Sequence, residues 1–194
     1  MKLCALADVK TLLGIETSEL AYDDELNDLI DAVSAEAERY MGRNATTGSY
    51  TEYFDVEVDS EVFQLSAFPL SSITHIYNDP DWEYGSDTEI STDYFSPNDD
   101  RGQIYINKYV LVEGWKALKV EYTGGMGADT SEFKTNYPDI ANAVARQVAY
   151  YFKNKRHIGD TAINTQTGSV SFITGAKWLT ETKEVLDTYK VPML

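Results

Sequence analysis

The chain has 194 residues, 43% hydrophobic and 12% aromatic, enough for one packed domain or a core with one inserted subdomain, and too apolar for wholesale disorder. A formal net charge of −16 argues against tight binding to a nucleic-acid backbone, which needs Lys and Arg to displace counterions. The single cysteine, Cys4, leaves no intrachain disulfide framework.

Lys2, Asp8, Lys10, Glu16 and Glu19 interrupt the first twenty residues, against a signal peptide, and no run approaches the roughly 20 apolar residues of a membrane span. An intracellular setting, with no membrane partner, is the expectation. The charge is unevenly spread: −10 over residues 1–60, −8 over 61–130 and +2 over 131–194. Such asymmetry suits copies packing the basic third of one against the acidic body of the next, with a merely solvated acidic surface as the plainer reading. Fourteen tyrosines against seven phenylalanines suit half-wet β faces and subunit contacts.

In chain order, residues 6–13 read as a short helix stopped by Gly14, the usual left-handed cap. Asp23 and Asp24 open a second helix at the end where carboxylates favour the dipole. Its apolar stripe is Leu26, Leu29, Ile30, Val33, Ala37, Tyr40 and Met41, opposite Glu25, Asp28, Asp31, Glu36 and Glu38, and Gly42 ends it.

From residue 47 to 123 the pattern becomes β. Residues 50–58 and 61–65 read as a strand pair joined by Asp59 and Ser60, and Pro69 ends that pair. Residues 73–78 form a further strand, 78–91 an acidic turn-rich stretch, 103–106 a strand entered through a turn at 99–102, and 117–122 the last strand. Gly124, Gly125, Met126 and Gly127 then read as a flexible joint. Pro138 opens a third long helix, where its missing N–H costs nothing, with Ile140, Ala141, Val144, Ala145, Val148, Tyr151 and Phe152 as the buried stripe. Its C-terminal end carries Lys153, Lys155, Arg156 and His157. Residues 163–173 alternate weakly, as a hairpin or an extended arm, and 178–189 form a closing helix. The fold class expected is α+β: a small bundle of two N-terminal helices, one long central and one C-terminal helix (residues 1–46 and 134–194), carrying an inserted antiparallel β sandwich or barrel-like subdomain (47–127).

No residue pattern makes a convincing active site. Asp79 with Asp81 and Asp99 with Asp100 lie in turn contexts beside Pro80 and Gly102, where Asp caps backbone, rather than as a glycosidase pair. Asp79, Asp81, Glu83 and Asp87 lack the glycine and terminal glutamate of a calcium loop. The two histidines, His75 and His157, fall in different elements, and Cys4 has no evident base. The glycine cluster lacks the Lys-Ser/Thr of a phosphate loop. Neither cofactor nor metal is expected.

Three stretches together resemble the tailed-phage head–tail connector family, also called adaptor or head-completion proteins. The first runs from Leu6, Ala7, Asp8 and Val9 through Gly14 to Asp23, Asp24, Glu25 and Leu26, and ends in Tyr40, Met41, Gly42 and Arg43. The second is Tyr137, Pro138, Asp139 and Ile140 with Ala143, Gln147, Tyr150, Tyr151 and Phe152, then a basic end and Gly159. The third is Gly168, Ser169, Val170, Ser171 and Phe172, followed by Leu186, Asp187, Thr188 and Tyr189.

The resemblance implies a non-enzymatic virion protein of the neck, assembled in the host cytoplasm. It implies a homo-oligomeric ring, dodecameric in the virion, that docks beneath the portal protein, receives the stopper or tail-completion protein and passes double-stranded DNA. Portal contact would fall to Gly168, Ser169, Val170, Ser171 and Phe172 with Trp178, Leu179, Leu186 and Tyr189. Subunits would meet at Lys153, Lys155 and Arg156. Asp24, Asp28 and Asp31 would line the channel and repel phosphates, so that DNA slides. The β block (63–70, Tyr94, 102–106 and 120–125) is similar to the longer members of this group, but it is large beside the compact helical members and would be a collar decoration contacting the tail or outer capsid. It keeps two other readings open: a tail or baseplate module using its tyrosines and Trp82 on carbohydrate or another virion protein, and a small hydrolase using Asp99 or Asp100.

Overall fold

The computed structural model describes residues 1–107, 109–155, 162–165, 168–171 and 178–191, with backbone alone at 162–165 and 168–171. They form two compact units, one of residues 1–41 with the described part of 133–190, the other of residues 42–132 with Val191. The architecture is α+β, as expected.

The first unit is helical: α1 (Leu6–Leu13), α2 (Asp23–Met41), α3 (Thr130–Asn136, entering from the other unit), α4 (Pro138–Asn154) and α5 (Thr180–Thr188). The stripe of α4 (Ile140, Ala141, Val144, Ala145 and Val148) is buried, and α1, α2 and α5 all pack on this helix. Leu26, Ile30, Val33, Ala37 and Met41 of α2, Val9 of α1 and Leu186 of α5 complete the core. Each buried Val, Leu, Ile or Met side chain among them contributes about 1.5–3 kcal/mol relative to exposure, and each Ala less. Gly14 caps α1 at φ 70°, its N–H bonded back to the Thr11 carbonyl.

Polar ties fix the ends of these helices. Lys10 is buried on α1, and its ammonium reaches the Thr17 and Glu19 carbonyls and Asp23 at 2.5 Å, clamping the loop into α2. Gln147 of α4 accepts the Leu179 N–H at 2.8 Å, and the Thr182 hydroxyl donates to the Ala143 carbonyl at 3.1 Å, seating α5. In the ambiguous segment before α5, β7 (Ala162–Thr165) pairs antiparallel with β8 (Gly168–Ser171), and the rest of it lies outside the described residues.

The second unit holds two antiparallel sheets. One has the order β1 (Gly48–Val56), β6 (Gly114–Gly124), β3 (Leu70–Asn78); the other β2 (Val62–Gln64), β5 (Gln103–Ile106), β4 (Phe95–Asn98). Phe63, Ile104 and Ile106 of the second sheet share one core with Ile76, Leu118, Val120 and Tyr122 of the first, a small sandwich. The expected pairing of residues 50–58 with 61–65 is corrected. A turn at 57–60 does reverse the chain, but β1 pairs with β6 and β2 with β5. The cause is β6, whose alternating Leu118, Val120 and Tyr122 are buried at the sheet centre and take a partner on each edge.

The glycine cluster is corrected too. A Cβ at Gly124 would stand 2.3 Å from the Ala67 carbonyl oxygen, and one at Gly125 2.4 Å from that of Thr46. The Met126 N–H bonds to Ala45 at 2.8 Å and the Thr47 N–H to Gly127 at 2.8 Å. These residues are glycine for close backbone approach, not for flexibility. Helix α3 follows, absent from the sequence reading, with Asp129 accepting the Ser131 and Glu132 N–H groups and Glu132 accepting that of Ala128.

Candidate functional site

Asp24, Asp28 and Asp31 lie exposed along α2 at the i, i+4, i+7 spacing of one helical face, with Lys2 3.7 Å from Asp31. At the end of α4, Lys153 is exposed, but Lys155 pairs with Glu25 of α2 at 2.7 Å and lies 4.1 Å from the Phe152 ring centroid. Lys155 therefore ties α4 to α2 within the chain, and Arg156 lies outside the described residues. Gly168, Ser169, Val170 and Ser171 form β8, while Phe172 lies outside the described residues.

Around α5, Trp178 and Leu179 are half-buried, Trp178 with its ring centroid 6.0 Å from that of Tyr40. Tyr189 donates to Asp139 at 2.8 Å. Leu186 is 0% exposed. It holds α5 to the helical core and offers no surface to a partner, a correction that follows from its place on the inner face of a short amphipathic helix.

Both carboxylate pairs lie in loops or turns. Asp79 is buried and accepts the Asp81 N–H at 2.9 Å and the Tyr84 N–H at 2.7 Å. Asp99 and Asp100 sit in a 3-10 turn before Gly102. Among the described residues no group of three or more His, Cys, Asp or Glu side chains is placed to hold a metal ion. His75 faces Glu89 at 2.7 Å.

The most organised surface is on the β unit. The Trp82 indole donates to the Trp115 carbonyl at 2.8 Å, and the Tyr84 hydroxyl to the Lys116 carbonyl at 2.7 Å. Asp55 of β1 accepts the Lys116 N–H at 2.7 Å, and Asn78 holds Val112 through both its N–H and its carbonyl. The two indoles stand edge to face, 5.6 Å apart at 81°, and are 53% and 61% exposed. Tyr84 lies between Tyr53 and Tyr77, with the Lys119 ammonium 5.2 and 5.3 Å from the ring centroids of Tyr77 and Tyr84. Burial, with Tyr53 and Asp79 adding to it, pushes the Tyr84 phenol up, and the hydrogen bond to Glu121 pushes Lys119 up.

Trp82, Tyr84 and Lys116 have φ of 65°, 49° and 51°, three of the four non-glycine residues with positive φ among those described. Each costs on the order of 1 kcal/mol or more, sustained by the hydrogen bonds just given. Sequence reasoning drew attention to Trp82 but not to its partner Trp115, 33 residues away; nothing local couples them.

Residues 2–191 match the head completion protein family, and the chain belongs to that family. It is a structural protein of the head–tail connector class. The sequence matches none of the curated proteins.

In fold it is similar to a chain of the virion of a native gene transfer agent (GTA) particle, 16% identical with a TM-score of 0.62, covering 99% of this chain and 91% of that one. A chain from the neck of the empty GTA particle, computed with C6 symmetry, gives 16%, 0.63, 99% and 91%. One from the neck of the native GTA particle, computed with C12 symmetry, gives 16%, 0.55, 92% and 95%.

Proposed function

We propose that this protein assembles as a ring in the virion neck, dodecameric in the finished particle, beneath the portal protein and above the stopper or tail-completion protein. The observation that carries this reading is family membership across residues 2–191, joined to a fold shared with chains of necks computed with C6 and C12 symmetry. The residues supply a consistent physical account. Asp24, Asp28 and Asp31 form an acidic line that, facing a channel, repels phosphates and lets double-stranded DNA pass without sticking. The β7–β8 hairpin is a two-stranded sheet of four residues a side, marginal alone, and gains stability by adding to a partner such as the portal. Trp178 and Leu179, half-buried beside it in sequence, supply apolar anchoring area, and Lys153 remains for a contact between subunits. Assembly takes place in the host cytoplasm, and the role is structural, without turnover.

Native mass spectrometry and light scattering of the full chain, alone and mixed with the portal from the same particle, test this. Rings alone, or many copies captured per portal, are the expected result. A monomer indifferent to the portal would overturn it.

A further inference from the structure

We propose that Trp82 is the anchor point for an arginine or lysine side chain of a different protein, one that presents this cation on an apolar surface. The proposal goes beyond the ring reading and does not depend on it. The Trp82 indole is 53% exposed, and its N–H bond to the Trp115 carbonyl fixes its rotamer. Buried Asp79 holds the backbone on either side of it through the Asp81 and Tyr84 N–H groups. An aromatic face locked in this way attracts a cation at little ordering cost. The neighbouring rings show the preference. The Lys116 ammonium lies 4.6 Å from the Trp115 ring centroid, and that of Lys119 lies 5.2 and 5.3 Å from those of Tyr77 and Tyr84. Among the described residues no cation lies over Trp82.

Charge and apolar area together define the partner. Asp81 and Glu83, the chain neighbours of Trp82, and Glu113 are exposed and make no ion pair among the described residues. Against these three carboxylates Lys116 is a single cation, and residues 42–132 carry a net charge of −12. Val110 and Val112, 91% and 50% exposed, lie on the adjoining loop. Asn78 holds that loop by two bonds to Val112 and also reaches the Ala117 carbonyl at 3.3 Å. Indoles continued by aliphatic side chains match a protein contact better than the hydroxyl-rich faces of a sugar. Positive φ at Trp82, Tyr84 and Lys116 gathers strain on this one face, as at ligand clamps. The described cations of this chain form no such complement, so a second copy is not the occupant. Arg146 and Lys155 are paired with Glu181 and Glu25, Lys190 lies over the Tyr40 ring, and Lys183 stands among Glu181, Glu184 and Asp187 on α5.

The experiment places the photo-cross-linking residue p-benzoylphenylalanine at Val110, outside the aromatic frame, irradiates assembled particles and reads the links by mass spectrometry. Links to one protein other than this chain, at a segment holding Arg or Lys, are expected. A synthetic peptide copying that segment should bind the full chain, and more weakly as NaCl rises from about 20 mM to about 500 mM. Trp82→Ala is expected to weaken peptide binding roughly thirtyfold or more, with circular dichroism and melting as the check on folding. Asp81→Asn with Glu83→Gln leaves the indoles in place and should weaken binding too, with a flatter salt dependence. Links only to copies of this chain, or no links in the particle, overturn the proposal. So does a peptide bound equally well by either folded variant, or Trp82-dependent retention on immobilised glycans. None of these outcomes bears on the ring reading, which the mass of the full chain with and without portal tests separately.

Discussion

Cys4 lies fully buried in the helical unit. Burial, helped by Asp8 and opposed by Lys2 and Lys134, pushes its thiol from 9.0 up to about 12. The folded state therefore holds the proton more tightly than the unfolded chain. This contribution is complete below pH 9 and is lost as pH rises from there toward 12. The native protein should accordingly resist a thiol-reactive disulfide reagent at pH 8 and react at once in urea; rapid labelling of the folded chain would refute the assignment. Residue type alone carried part of this story, since the lone cysteine has no evident base near it in the sequence. It misled at Gly124 and Gly125, where absent side chains signify backbone approaching within 2.3 and 2.4 Å of a would-be Cβ. Flexibility and tight packing leave the same letter in a sequence.

Helices α1, α2 and α4 were legible because their apolar stripes repeat locally and their caps are adjacent residues. Helix α3 was equally available: Asp129 and Glu132 stand three apart, the spacing of a capping box, and both side chains bond backbone N–H groups at 2.8 or 2.9 Å. Strand partners were not available, because β1 and β2 each satisfy their alternation with any antiparallel neighbour and the choice of β6 and β5 is made by the shared core. Beside the burial of Leu186, single hydrogen bonds seat α5. Gln147→Leu leaves the Leu179 N–H without its acceptor and should cost about 1–3 kcal/mol, lowering Tm by roughly 2–4 °C per kcal/mol. Hydrogen exchange should quicken across residues 180–188; an unchanged rate there would show that Leu186 and Thr182 hold the helix by themselves.

For the whole chain, 32 acidic against 16 basic side chains leave an excess of like charge that favours expansion. Ion pairs such as Lys134 with Asp8 and Arg146 with Glu181 offset only part of it, and exposed pairs contribute about 0–1 kcal/mol each. Raising NaCl from about 20 mM to about 500 mM shortens the screening length severalfold and should raise Tm. A fall in Tm would mean that the pairs outweigh the repulsion. The same excess matters for function as proposed: a polyanion lining a channel is a poor ligand for another polyanion. Assembly then has to come from local patches of opposite sign and apolar contact, not from overall charge.

Four of the five helices, the β character of the insertion, the uneven charge and the family resemblance were legible in the sequence, because each is written in residues a few places apart. The tertiary structure alone decided which strands pair, that Lys155 and Leu186 are used inside the chain, and that Trp82 meets Trp115. The corrected pairings of β1 with β6 and β2 with β5, the Trp82–Trp115 bond at 33 positions and the Lys155–Glu25 pair at 130 all join residues far apart in the chain. Many strand arrangements share one alternation pattern, and only closing a common core selects among them.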